Sequence, residues 1–425
     1  MTENNVVSLR QKEEIDDPLT EILRSGAKRL IEQAVEAEFA AFLAEHAGLK
    51  LPDGRQRVVR HGHDPVRAIQ TGVGPVDVEK PKARDRGASG EDRIRYASSI
   101  LPKWARRTKS LDVLLPALYL RGVSTGDFQG VLTALLGKDA PNLSPGVIAR
   151  LKGEWEYDYR RWQKRDLSAR RYVYVWADGI YLQARLEDDA QCILVLLGAT
   201  PEGTKELIGF TDGFRESAQS WRGLLLKLQE RGLRHAPELA IGDGALGFWK
   251  ALGEVWPATC EQRCWVHKTA NVLNKLPKSL HSKAKRELQE IWMAETKANA
   301  LKAFDIFEKT YVVKYEKAVA CLVKDRDALL AFYDFPAEHW KHLRTTNPIE
   351  STFATVRHRT IRTKGCLSND TAIAMVFKLL QAAQRSWRRL DGTSFLPKVI
   401  FGVKFKNGIE VQDDSSHPQA KTVAA

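Results

Sequence analysis

The sequence predicts an α/β chain, with an all-helical insertion inside the α/β core and a helical region in front of it. Three observations carry this. Apolar residues alternate with period two over residues 171 to 210, helical and strand-like runs take turns from 218 to 265, and only helical spacing is found from 271 to about 342. Each element can be justified in order.

Asp16-Asp17-Pro18 opens a helical pattern with apolar residues at Leu19, Ile22, Leu23, Leu30, Ile31, Ala34, Val35, Phe39 and Phe42, and Gly48 stops it. Residues 1 to 50 are therefore assigned to one long amphipathic helix, whose stripe packs either on the same chain or on a second copy. Residues 51 to 108 are rich in Gly, Pro and Arg and contain strand-like Gly74-Pro75-Val76-Asp77-Val78-Glu79, so they read as a loosely structured basic connector with short strands. From 109 to 168 the spacing is helical again. Leu111 to Leu120, the joint Arg121-Gly122-Val123-Ser124-Thr125, and Phe128 to Leu135 fit a helix-turn-helix, with Gly122 in the turn and Ser124 or Thr125 as cap. This pair is either a DNA reader or an ordinary helical hairpin. A further helix starts near Asn142-Leu143-Ser144-Pro145 and runs toward Arg165.

Alternating runs at 172–176, 180–186, 192–197 and 207–210 read as a β-meander. A helix from Ala218 to Arg231, a strand from Glu238 to Gly242, a helix carrying Leu246, Trp249 and Leu252, and a strand-like Thr259 to Trp265 follow. Three hairpin strands followed by α, β, α, β form the element order of a ribonuclease-H-like domain. Its first part is placed at 169 to 270, the helical insertion at 271 to 342, and its C-terminal part at 343 to 410, ahead of a polar, disordered tail at 411 to 425.

Composition narrows the partners. A formal net charge of +13 suits a polyanion, nucleic acid first and an acidic membrane surface second. The charge is concentrated. Residues 51 to 110 hold 14 Lys or Arg against 7 Asp or Glu, and residues 341 to 390 hold 10 against 2, which implies two contact surfaces. No apolar run approaches the roughly 18 to 20 residues of a membrane span, and the start Met1-Thr2-Glu3-Asn4-Asn5 lacks a signal pattern. Five cysteines, an odd and sparse set, do not form a disulfide framework. A cytoplasmic, nucleoid-associated protein is expected.

The chemistry is expected from three acids. Asp178 and Asp243 each end an apolar run and precede glycine, and Glu350 opens an Arg-rich helix in Thr345-Thr346-Asn347-Pro348-Ile349-Glu350. Divalent magnesium prefers carboxylate oxygens, and two ions about 4 Å apart can serve an in-line phosphodiester displacement. In a ribonuclease-H-like sheet Asp178 and Asp243 would be neighbours despite lying 65 residues apart, and Glu350 would arrive from a helix 107 residues after Asp243. Each acid also has a structural explanation. Asp178-Gly179 is a common turn dipeptide, and Asn347, Pro348 and Glu350 fit an N-cap, a first-turn Pro and a capping box. Cys260, Cys264, His267 and His281 offer loosely spaced zinc ligands. The alternative is that Cys264 and His267 are accessory residues, orienting side chains near the Asp243 strand or packing in its core.

Taken together the motifs resemble the mutator-type transposases of bacterial insertion sequences over roughly residues 75 to 405. The resemblance rests on Leu101-Pro102-Lys103-Trp104-Ala105-Arg106-Arg107, Leu118 to Thr125, Ala177-Asp178-Gly179, Gly242-Asp243-Gly244, Gln262-Arg263-Cys264-Trp265-Val266-His267-Lys268 and Thr345 to Ser351. Gly126 and Pro348 stand where an arginine and an alanine are usual. The resemblance implies a ribonuclease-H-like catalytic domain with Asp178, Asp243 and Glu350 as catalytic, metal-binding acids, and a Cys-x-x-His signature at Cys264 and His267. It further implies two Mg2+ ions, with Mn2+ as a substitute, and cleavage and strand transfer at DNA ends. The partners would be double-stranded DNA, as terminal inverted repeats and target, and a second copy of the chain in a homodimer or larger assembly, with no membrane. Candidate DNA contacts are Ser124, Thr125, Arg106, Arg107, Arg357, Arg359, Arg362 and Lys364. A nuclease or resolvase that does not join strands, or a DNA-binding regulator, are the alternative functions.

Overall fold

In the computed structural model, which describes residues 18–87, 92–108, 111, 114, 118, 130–132, 145–182, 191–213, 216–244, 246–350, 353, 356 and 369–411, the chain forms two units, Met1–Leu151 and Lys152–Ala425.

In the first unit, helix α1 (Pro18–Glu45) sets Ala27, Ile31 and Val35 at four-residue spacing, so they share one face. That face covers Ile69, Val76, Val78 and Leu101. Strands β1 (Val58–His63) and β4 (Pro81–Asp85) pair antiparallel, as do β2 (Arg67–Thr71) and β3 (Gly74–Val78). Glu38 on α1 accepts hydrogen bonds from Tyr96, Ser98 and Ser99; burial opposes its ionisation, yet these donors hold its carboxyl down at about 2. The segment expected to be a loose connector is thus fastened by a small core and a carboxylate clamp. The single stripe expected on α1 also divides, because Leu19, Ile22, Leu23 and Leu30 are exposed while Val35 and Phe39 are buried.

The second unit is built on a mixed five-stranded sheet. Strands β5 (Tyr174–Leu182), β6 (Gln191–Ala199) and β7 (Lys205–Gly213) form an antiparallel meander. Strands β8 (Leu239–Gly242) and β9 (Cys260–Arg263) extend it on the β5 side in parallel, giving the order β7-β6-β5-β8-β9. Parallel neighbours need crossovers. Helices α3 (Ala218–Glu230) and α4 (Leu246–Val255) lie in them, after α2 (Pro145–Gln163). The apolar residues before and after Asp178-Gly179 lie in the single strand β5, because Asp178 and Gly179 pair with Val195 and Leu194 and do not form the turn that the dipeptide also allowed.

Side chains alternate across a strand, so β5 presents two faces. Val175 and Ala177 pack with Leu224, Phe248 and Trp249 from α3 and α4. On the other face the Tyr174 hydroxyl lies 2.8 Å from His339 Nδ1, and the Trp176 indole donates to the His342 carbonyl at 3.0 Å. Asp178 shares that second face, toward the segment that leads to Glu350. The helical stretch before it comprises α5 (Trp265–Leu273), α6 (His281–Met293), α7 (Lys297–Val323), α8 (Arg326–Leu330) and α9 (Trp340–Leu343). Buried Lys268 ties α5 to the end of α7 by donating to the Cys321 carbonyl at 2.9 Å and pairing with Asp325. After α10 (Asn369–Gln384) come α11 (Leu396–Ile400) and a short antiparallel pair, β10 (Phe405–Lys406) with β11 (Ile409–Glu410), and no described helix is long and apolar enough to cross a membrane.

Candidate active site

Parallel pairing between β5 and β8 runs from Tyr174↔Leu239 to Ala177↔Gly242 and stops there. The next residues after the two paired strand segments are Asp178 and Asp243, which places them side by side at the carboxyl end of the parallel pair, where open α/β sheets hold their ligands. Asp178 does not end its strand, as the sequence suggested, since β5 continues to Leu182. What ends at Ala177 is the partnership with β8. Asp178 is buried at 8% exposure, and its Oδ1 accepts from the Gly179 N–H at 2.8 Å. The Asp243 carbonyl accepts from the Trp249 indole at 2.7 Å, and the Cys264 N–H donates to the Gly242 carbonyl at 2.7 Å, so both flanks of the β8 end are tied down.

Glu350 comes from a helical turn that starts at Asn347. The Thr346 carbonyl accepts from the N–H groups of Ile349 and Glu350, so Thr346, not Asn347 as expected, occupies the capping position. Its hydroxyl donates to Glu350 Oε1 at 2.9 Å, and its N–H donates to the Cys264 sulfur at 3.3 Å. His267, one turn into α5, brings Nδ1 to 3.4 Å from the Thr346 hydroxyl and 3.8 Å from Glu350 Oε1. Cys264 and His267 therefore reach Glu350 from the start of α5, and Thr346, which sequence reasoning did not single out, is the link.

Electrostatics bind these groups into one neighbourhood. Burial pushes the Asp178 carboxyl up to about 7; the Asp243 and Glu350 charges add to the rise, and His267 and the Gly179 N–H oppose it. A hydrogen bond to Cys264 is the main cause that raises His267 to about 9, against burial and with the support of Asp178 and Asp243. Glu216, just before the α3 cap Ser217, is also pushed up to about 7 by burial and then by Asp243 and Asp178. No sequence signal marked Glu216. An acid beside a helix start is ordinary helix-dipole chemistry.

Carboxylates crowded against like charge match the donors a hard divalent ion takes. Cys264, His267 and Glu350 have donor atoms within 4.8 Å of one another, a second way these residues could hold an ion. Cys260 and His281 do not join them: Cys260 is exposed, and His281 Nε2 lies 3.0 Å from the Leu276 carbonyl. Of the candidate DNA contacts, Arg106 is exposed and Arg107 half-buried in the first unit, where Gln70 bonds the Arg106 carbonyl at 2.9 Å. Ser124, Thr125, Arg357, Arg359, Arg362 and Lys364 lie outside the described residues, as does most of the expected helix-turn-helix.

Comparison with known proteins places this arrangement. The chain is 54% identical over 288 residues to the transposase for insertion sequence element IST2 of Acidithiobacillus ferrooxidans, covering 66% of this chain and 95% of that protein. It is 52% identical over 295 residues to the transposase for IS6120 of Mycolicibacterium smegmatis, covering 69% and 91%. Against the transposase for IS256 in transposon Tn4001 of Staphylococcus aureus it is 28% identical over 297 residues, covering 69% and 73%. The family description "Transposase, Mutator family" matches residues 1–389, so with a sheet in which Asp178 and Asp243 follow the last β5–β8 pair and a capped turn that carries Glu350, the chain belongs to the Mutator family of transposases.

Proposed function

We propose that the chain is the transposase of an insertion sequence, and that it binds the element's terminal inverted repeats and cuts and joins DNA through a ribonuclease-H-like core. Asp178, Asp243 and Glu350 are the catalytic acids and would hold two Mg2+ ions, with Mn2+ as a substitute. The observation that supports this reading is the end of β5–β8 pairing at Ala177↔Gly242, after which Asp178 and Asp243 are the next residues of the two strands' segments. The sheet order, with three antiparallel strands extended by two parallel ones, supports the core assignment.

When bound, a metal pair activates the attacking oxygen and stabilises the leaving oxygen of a phosphodiester displacement. The chain's residues set the stage for it. The Gly179 N–H fixes the Asp178 rotamer, and the Thr346 hydroxyl fixes Glu350. His267, cationic at neutral pH because the Cys264 hydrogen bond and then Asp178 and Asp243 raise it to about 9, offsets part of the acid repulsion. Water first attacks the phosphorus at the element end and the 3′-oxygen leaves as a free 3′-hydroxyl; that hydroxyl then attacks a second phosphodiester, forming a new P–O3′ bond while the second strand's own 3′-oxygen leaves. Arg357, Arg359, Arg362 and Lys364 grip phosphates near the cut, the segment at about 110 to 137 with Ser124 and Thr125 reads the repeats, and Arg106 and Arg107 add backbone contacts. Holding two ends together calls for a dimer or larger assembly.

Single replacements Asp178→Asn, Asp243→Asn and Glu350→Gln test the chemistry on DNA carrying the repeats that flank the coding region, with magnesium. All three should abolish cleavage. Near wild-type cleavage by any one of them removes that residue from the acid set, and cleavage without joined products from the wild type would favour a nuclease.

A further inference from the structure

We propose that Trp104 is a base-stacking residue for DNA, taking one unpaired or unstacked base against the open face of its indole. The inference rests on the reading of the chain as a DNA-binding transposase.

Trp104 is the one exposed residue among the chain's eleven tryptophans, with 81% of its surface open to solvent. The backbone around it is nevertheless held. Arg67, the first residue of β2, donates to the carbonyls of Leu101, Pro102 and Lys103, three consecutive acceptors on one guanidinium. Leu101 is buried with Val35, Ile69, Val76 and Val78, and Ala105 packs against the same cluster, so the chain is anchored on both sides of the indole. The Ala105 N–H closes a turn on the Pro102 carbonyl at 3.0 Å, and the Gln70 N–H bonds the Arg106 carbonyl at 2.9 Å. Trp104 therefore projects from a fastened turn. A rigid aromatic has little freedom to lose when a partner covers it, so its contact area converts to affinity at low entropic cost.

The surroundings select the occupant. Residues 101–108 carry Lys103, Arg106 and Arg107 and no acid, and both Lys103 and Arg106 are exposed. Lys103 Nζ lies over the indole, 5.1 Å from the ring centroid, which leaves the opposite face for a planar partner. Cations beside an uncovered ring suit a nucleic-acid strand, because the cations take phosphates and the ring takes a base. Bases inside a fully paired duplex are already stacked on one another. The partner is therefore a base in a single-stranded stretch or one drawn out of the helix.

The test measures fluorescence anisotropy of three labelled DNAs with the full chain: an oligothymidine strand, a fully paired duplex, and that duplex with one unpaired nucleotide. Wild type, Trp104→Ala and Trp104→Phe are compared over a range of salt, with unfolding midpoints and solution mass as controls. Trp104→Ala should lose about tenfold in affinity for the strand, for the bulged duplex or for both, the scale of one base on an aromatic ring. On the paired duplex it should match wild type. Trp104→Phe should keep most of the affinity, and the salt slopes should stay as in wild type, because no phosphate contact is removed. Should Trp104→Ala not fold, Trp104→Gln, which keeps a long side chain without a ring, takes its place. A loss confined to the strand identifies a base in a single-stranded flank, and a loss confined to the bulged duplex identifies a base extruded from paired DNA. Unchanged affinity for all three DNAs, or a loss as large on the paired duplex as on the others, overturns the inference. Altered solution mass with wild-type DNA affinity overturns it too, since the indole then packs on a second copy. Absence of DNA binding by the wild type overturns the DNA-binding reading and this inference with it.

Discussion

Replacing Asp178 by Asn should stabilise the metal-free protein at alkaline pH. In the fold the Asp178 carboxyl is raised from 3.8 to about 7, first by burial and then by Asp243 and Glu350. A carboxyl with a raised folded pKa contributes stability that is fully present below its unfolded value near 3.8 and is lost as pH rises through about 7. The shift corresponds to on the order of 4 kcal/mol against the ionised form. Asp243 and Glu350 supply part of the rise and titrate together with Asp178, so a difference of about 2 to 3 kcal/mol is the reasonable expectation for one replacement. Asn is neutral at every pH and keeps an Oδ1 to accept the Gly179 N–H, so the local hydrogen bond survives. Urea unfolding with chelator at pH 5 and pH 8 measures the effect. Wild-type stability should fall between the two, Asp178→Asn should fall less, and the variant should exceed wild type at pH 8. A variant no more stable than wild type at pH 8, or a wild type indifferent to pH across this window, would refute the reasoning.

Three further predictions follow from the same geometry. Cys264→Ala removes the sulfur that accepts the buried Thr346 N–H at 3.3 Å, which should cost about 1 to 3 kcal/mol and shift the His267 titration to lower pH, since the Cys264 hydrogen bond is the first cause of its rise. An unchanged His267 NMR titration would contradict this. Gly179→Ala drives a methyl into the Glu216 carboxyl and should cost about 1 to 3 kcal/mol, and Glu216→Ala in the same chain should relieve most of it. Additive losses in that double-mutant cycle would show that the two residues do not collide. Affinity for terminal-repeat DNA should fall linearly on a logarithmic salt scale, and a flat dependence would exclude phosphate-dominated binding.

Much of the second unit was legible in the chain. The period-two runs marked the strands that became β5, β6 and β7, and the helical and strand-like runs after Ala218 marked α3, β8, α4 and β9. The Asp-Gly dipeptide at 178 was ambiguous, since a turn and a strand edge use the same residues. Only pairing with Val195 and Leu194 decides that it continues β5. In the first unit the apolar residues of α1 were found, but not that they form one buried and one exposed stripe, because a helical pattern does not say which strands will cover it.

What the sequence by itself determined is local: which residues alternate on a strand or a helix, where caps and breaks fall, and which motifs, taken in order, point to the Mutator transposases. What only the tertiary structure decided is which strand end meets which. The β5–β8 register brings Asp178 beside Asp243, Thr346 becomes the hinge between Cys264, His267 and Glu350, and Glu216 fills the place of a missing Gly179 side chain. Register and crossover depend on contacts tens to hundreds of residues apart along the chain, and side-chain periodicity carries no record of them.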